Sequence, residues 1–197
     1  VFEDDLRRAQ ARLREIPDLV EKAQVKAINT ATRKALTLAV NGIKSQVNLK
    51  SPYIRSNLKI YQKATTNKPE GVLGAESRGV LLNRFDGQQI VTKAKNAKRA
   101  KGDQLRGIAA GYKSKGVTVK VKAKGGNKFF RGFYVPLKNG NGENAMGIAV
   151  RTGSRKKDYK VLRGPSVSQV FQTVRNDIAE ETRDIALSEL LNELESI

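Results

Sequence analysis

Apolar residues near the start of the chain fall at Phe2, Leu6, Ala9, Leu13 and Ile16, in alternating steps of four and three with charges between them. That spacing is the a/d seam of an amphipathic helix, and Asp4 and Asp5 suit the positive end of its dipole. Pro17 is expected to kink or restart this helix, because proline fits a first helical turn but lacks the N–H that a helix interior uses. A second helix is predicted from Asp18 to about Val47, with Val20, Ala23, Ala27, Ala31, Ala35, Leu38 and Ile43 on one side. Its ~30 residues would span about 45 Å, and its alanine-rich face would let a neighbour come close.

The period then changes. Ser51 is placed to cap a short helical turn with Pro52 at its first position. Leu58, Ile60 and Gln62 alternate with Lys59, Tyr61 and Lys63, the pattern of a half-buried strand, and a second strand is expected at Gly71–Ala75. In "GVTVKVKAK" (116–124), Val117, Val119, Val121 and Ala123 share one face, and Thr118, Lys120, Lys122 and Lys124 share the other. Phe133, Val135 and Leu137 follow as an inward row, with Pro136 marking a sheet edge. After a turn at "NGNGEN" (139–144), Met146, Ile148 and Val150 supply another strand. An antiparallel meander between long N-terminal and C-terminal helices is an α+β architecture.

The last element opens at Gly164-Pro165-Ser166. Ser166 and Gln169 have the spacing of a capping box. An early apolar stripe follows at Val167, Val170, Phe171, Val174 and Ile178, and a late one at Leu187, Leu190, Leu191, Leu194 and Ile197. The late stripe needs a surface to bury it, either the chain's own or a neighbour's. Three regions are therefore expected: an N-terminal helical region over 1–50, a basic antiparallel β region over 51–163, and an acidic C-terminal helix over 164–197.

Charge sharpens this division. The formal net charge is +19, yet residues 1–29 balance six basic groups with six acidic ones. Residues 30–163 hold 30 basic and six acidic groups, and residues 164–197 hold two basic and seven acidic. A field this positive in mid-chain suits contact with a polyanion, nucleic acid first, or simply a solvated surface that resists aggregation. The stretch 93–101, "KAKNAKRAK", carries Lys93, Lys95, Lys98, Arg99 and Lys101 with no apolar residue larger than alanine. It reads as a loop tip or solvated helical turn, and without an interleaved aromatic any contact there would be non-specific. The Lys120, Lys122 and Lys124 row is the second candidate for such contact.

The chain has no cysteine and no histidine. That removes disulfides, Cys- and His-based nucleophiles, histidine bases and the usual zinc sites. No phosphate-binding glycine loop or nucleophile elbow is present. An enzyme is not expected, nor is a cofactor, a metal, a catalytic residue or a membrane span; single alanine changes at Asp86, Asp103 and Glu143 that abolished a turnover would reverse this.

Taken in order, "AINTATRKA" (27–35), "LLNRF" (81–85), "GVTVKVKAKG" (116–125), "GFYVPLKNG" (132–140), "GIAVRTG" (147–153) and "VLRGPSVSQVF" (161–171) resemble the minor tail protein Z family of lambda-like phages and prophages, the tail completion proteins. The chain departs from that family in "KKDYKVLRGPS" before the corner and in its lysine-rich 93–101 stretch. The resemblance implies a non-enzymatic virion protein at the head-proximal end of a long tail, made in the host cytoplasm. It also implies a homo-oligomeric, six-fold ring, with tail terminator, tail tube and head–tail connector as neighbours and DNA passing nearby. On this reading Arg84 and Phe85 with Gly164, Pro165 and Ser166 form a structural corner. Leu187, Leu190, Leu191 and Leu194 then become a candidate subunit interface, and the basic groups above face DNA or acidic partners. The alternative is a stand-alone, non-specific nucleic-acid-binding protein.

Overall fold

The computed structural model describes the backbone of residues 2–138, 145–155 and 157–196, with side chains from residue 16 onward. The turn expected at 139–144, Glu143 within it, the seam side chains Phe2 to Leu13 and Ile197 lie outside the described residues. The fold is α+β: among the described residues two long helices, α1 (Phe2–Gln46) and α3 (Val167–Glu195), flank antiparallel strands arranged in four small sheets.

α1 runs unbroken from Phe2 to Gln46, with Pro17 inside it. The restart expected at Pro17 does not occur. An interior proline costs about 3 kcal/mol of helix propensity, a local penalty that the turns on either side offset. From Ala23 onward α1 buries a ladder of small residues, Ala23, Ala27, Ala31, Ala35 and Ala39, each no more than 6% exposed, and then Val40, Ile43 and Val47. A short helix, α2 (Ser51–Asn57), follows; its cap position is Lys50 rather than Ser51, and its buried residue is Ile54.

β1 (Leu58–Gln62) pairs with β2 (Val72–Ala75). This hairpin lies against α1: the Asn29 side chain exchanges two hydrogen bonds with the Ala64 backbone, at 2.9 and 3.0 Å. β3 (Gly79–Leu81) pairs with β10 (Arg163–Ser166), 82 residues later in the chain by register Arg163↔Leu81. β4 (Gln88–Lys93), β5 (Tyr112–Val119) and β6 (Lys128–Phe130) form one three-stranded sheet. β7 (Phe133–Pro136), β8 (Met146–Arg151) and β9 (Tyr159–Val161) form the other. Phe85, Val80, Val117, Val119, Ile148 and Val167 are the fully buried centre where these sheets meet α1 and α3.

β5 is displaced from its predicted position. It begins at Tyr112, runs through Gly116 and stops at Val119. A strand lasts as long as a neighbour can satisfy its ladder; β4 faces residues 112–118 and β6 faces 117–119. Beyond that, the end of α1 takes over: Asn48 N–H donates to the Val121 carbonyl at 2.9 Å, and Ala123 N–H donates to the Gln46 carbonyl at 3.0 Å.

α3 (Val167–Glu195) opens with the capping box read from the sequence. Gln169 N–H donates to Ser166 Oγ at 3.1 Å, and Ser166 N–H donates to Gln169 Oε1 at 2.9 Å. Ser166→Ala is expected to cost about 0.5–2 kcal/mol, measured by urea unfolding, since Ser166 is only 2% exposed and no water can replace its oxygen. α3 returns antiparallel along α1. Thr173 Oγ1 donates to Gln46 Oε1 at 2.8 Å near one end, and Lys26 Nζ meets Glu193 Oε2 at 2.7 Å near the other.

Candidate interaction surfaces

Of Arg84, Phe85, Gly164, Pro165 and Ser166, the residues expected to form a corner, Phe85 and Gly164 meet beside the β3–β10 pairing. β3 leads into a 3-10 turn at Leu82–Arg84, which delivers Phe85 beneath β10. Phe85 is wholly buried. A Cβ on Gly164 would lie 2.6 Å from Phe85 Cε2, so only glycine lets the aromatic ring fill this space. Arg84 points the other way, its guanidinium carbon 4.3 Å from the centre of the Tyr53 ring on α2. The Phe85 carbonyl accepts from Lys120 N–H at 2.8 Å, tying the end of β5 to the same point. Asp86 then takes a left-handed backbone, φ 53°, to let the chain turn away.

Asp86 also acts on Tyr134. Burial raises the Tyr134 hydroxyl above its ordinary pKa, and the Asp86 charge adds to that shift. At a pH below the unfolded value near 10, Tyr134 is neutral in both states and its contribution to folding is complete. As pH rises through the folded value, that contribution is lost. Tyr134→Phe is expected to flatten the alkaline fall in stability between about pH 9 and pH 11, read from unfolding midpoints across that range.

The two basic groups do not come together. Lys93, the last residue of β4, and Lys95, Lys98, Arg99 and Lys101, on the lobe that joins β4 to β5, are all exposed. Lys120 is half-buried, and Lys122 and Lys124 are exposed, past the other end of β5. The eight residues of β5 separate them, roughly 25 Å of extended chain. Lys122 and Lys124 also leave the strand, so the lysine row expected on one sheet face is not formed; residues 120–124 follow the end of α1 instead.

The lobe is closed by its own bonds. The backbones of Asp103 and Ile108 exchange hydrogen bonds at 2.7 and 2.8 Å, and the Asp103 carboxylate accepts from Arg106 N–H at 3.3 Å. Gly102 has φ 71°, and a Cβ there would lie 2.5 Å from the Ile108 carbonyl oxygen. Asp103 thus has a local structural role. Arg106 carries the lobe back to the β7–β9 sheet, with its guanidinium 5.9 Å from the Phe133 ring centre; Arg151 lies 4.8 Å from the same ring. Tyr159 meets Phe133 edge-on at 6.1 Å. Sequence spacing gave no sign of this cluster, because its members come from four separate stretches of the chain.

α3 divides along its length. Val167, Val170, Val174 and Ile178 are buried, and Leu190 is half-buried. Leu187 and Leu191 are each 61% exposed and Leu194 is 38% exposed. The four leucines proposed as one surface therefore separate, with Leu190 turned inward. Part of the helix's acidity is met within the chain: Glu189 pairs with Lys34 at 2.6 Å, as Glu193 does with Lys26. Exposed pairs of this kind set register more than they stabilise. Asp177, Glu180, Glu181 and Asp184 are exposed and make no ion pair among the described residues.

None of the described helices is long and apolar enough to cross a membrane, and among the described residues no group of three or more His, Cys, Asp or Glu could hold a metal ion. Among the described residues the fold leaves outward a basic lobe, an acidic helix face and three exposed leucines of α3.

The chain belongs to the family described as Prophage minor tail protein Z (GPZ), whose family model matches residues 6–196. It is a structural protein of a phage tail, a component of the virion that works against other virion components. No curated protein and no solved structure matches the chain.

Proposed function

We propose that this protein completes the head-proximal end of a long tail and joins it to the filled head. Membership of the tail family over nearly the whole chain carries this reading. The exposed leucines and unpaired acids of α3 support it, because a chain that assembles needs faces its own fold leaves uncovered. In this role copies form a ring that matches the six-fold tail, between the tail terminator and tube on one side and the connector on the other. The lysine lobe contacts DNA in the lumen or an acidic neighbour, without sequence preference, and the protein acts without catalysis.

Tails assembled without this chain are expected to reach full length yet fail to join heads, as seen by negative-stain imaging alongside loss of infectivity. Normal joined particles would overturn the proposal. The five exposed cations of the lobe favour one second reading, a free-standing nucleic-acid binder. That reading requires tight binding of the isolated subunit to duplex at physiological salt, with a log–log salt slope of about 0.9 per phosphate neutralised. The tail reading expects weak binding or none.

A further inference from the structure

One straight seam on α3 is exposed throughout its length. Glu180, Asp184, Leu187, Leu191 and Leu194 are spaced by alternating steps of four and three, so they share one face, acidic at first and apolar afterwards. Elsewhere the chain holds a groove of about 530 Å³ beside β6 and β10. Val121, Phe130 and Leu162 line it, with Lys122, Lys128 and Arg163 at its rim, the last three exposed. The two surfaces are complementary in both respects that matter for docking: leucines at i, i+4 and i+7 are the anchors an apolar groove accepts, and the flanking charges are opposite.

These surfaces cannot meet within one copy. The groove includes Pro165, next to the N-cap of α3. Leu187 lies 20 residues along the helix from Val167, about 30 Å away at 1.5 Å per residue, and a helix does not fold back on itself.

We infer that the Glu180–Leu194 face of α3 in one copy seats in the Val121–Phe130–Leu162 groove of the next copy, with its carboxylates against Lys122, Lys128 and Arg163. Such a contact joins two different surfaces and is therefore head-to-tail, the kind that closes into a ring or runs on as a filament. This deepens the tail reading and rests on it, since it names the contact through which copies would assemble.

Because the chain has no cysteine, two single substitutions report the contact cleanly. Leu191→Cys and Lys128→Cys are both at exposed positions and leave the core intact. Each purified variant is oxidised mildly alone, and then the two are mixed and oxidised together. The expected result is a disulfide-linked pair only in the mixture. Adding Glu180→Lys and Asp184→Lys to the Leu191→Cys copy should reduce the yield several-fold, and Lys122→Glu in the other copy should restore part of it. A bond only between like copies, or no bond in the mixture, overturns the contact. If that happens while tails lacking the protein still fail to join heads, the contact is wrong and the tail role stands.

Discussion

Phe85→Ala is expected to lower the free energy of unfolding by about 3–5 kcal/mol, seen as an earlier urea midpoint with little change in slope. Phe85 has no exposed surface. Its ring sits against Gly164, which has no side chain to fill the void. The surrounding backbone is fixed on three sides by the β3–β10 pairing, the turn at Leu82–Arg84 and the hydrogen bond that Lys120 N–H donates to the Phe85 carbonyl. A site so tied cannot collapse, so the loss should lie at the upper part of the range seen for large-to-small changes. Phe85→Leu, which keeps most of the volume, should cost clearly less. A loss below about 1 kcal/mol for alanine, in the range of ordinary surface changes, would mean that the corner is not the keystone described.

The second large effect lies on the alanine ladder. Ala31→Leu combined with Ala39→Leu is expected to destabilise by about 2–6 kcal/mol, because each added side chain overpacks a filled position at about 1–3 kcal/mol. The two sites are eight residues apart, about 12 Å along α1, far enough for their costs to add nearly in full. Ala31 is 2% exposed and Ala39 is 0% exposed. Gly42 of the same helix faces α3 closely enough that a Cβ there would touch Val174 at 3.4 Å. Arg33→Leu, on an exposed position between the two, is the control and should change the melting temperature little. A double variant as stable as the parent would show that the helices are looser than their buried surfaces indicate.

Elements whose signal is contained in a few neighbouring residues could be read from the chain directly. The Ser166–Gln169 capping box forms as its spacing requires, β1 alternates as Leu58, Ile60 and Gln62 indicate, and Ala23, Ala27, Ala31, Ala35 and Ile43 are buried on one helix, with Val20 and Leu38 half-buried. β5 was misplaced because Gly116 looks like a boundary. In the fold its ladder continues across the glycine, next to a register shift opposite Ile90 and Val91. The lysine row failed with it, since Lys122 and Lys124 were placed by a strand that ends at Val119.

Periodicity and capping therefore carried the α+β class and the long terminal helices, which depend on contacts a few residues apart, and the resemblance of several ordered segments carried the kinship with tail proteins. Pairings between remote segments settled the remainder: the passage of α1 through Pro17, the extent of β5, the separation of the basic groups by one strand length, and the meeting of Arg106 and Arg151 over Phe133. Which leucines of α3 face outward was decided in the same way. Exposure is a property of what packs alongside: Leu190 is half-buried, while Leu187 and Leu191 are 61% exposed on the same helix. A helical period can name a stripe, but only the partner helix selects which part of that stripe remains open for another molecule.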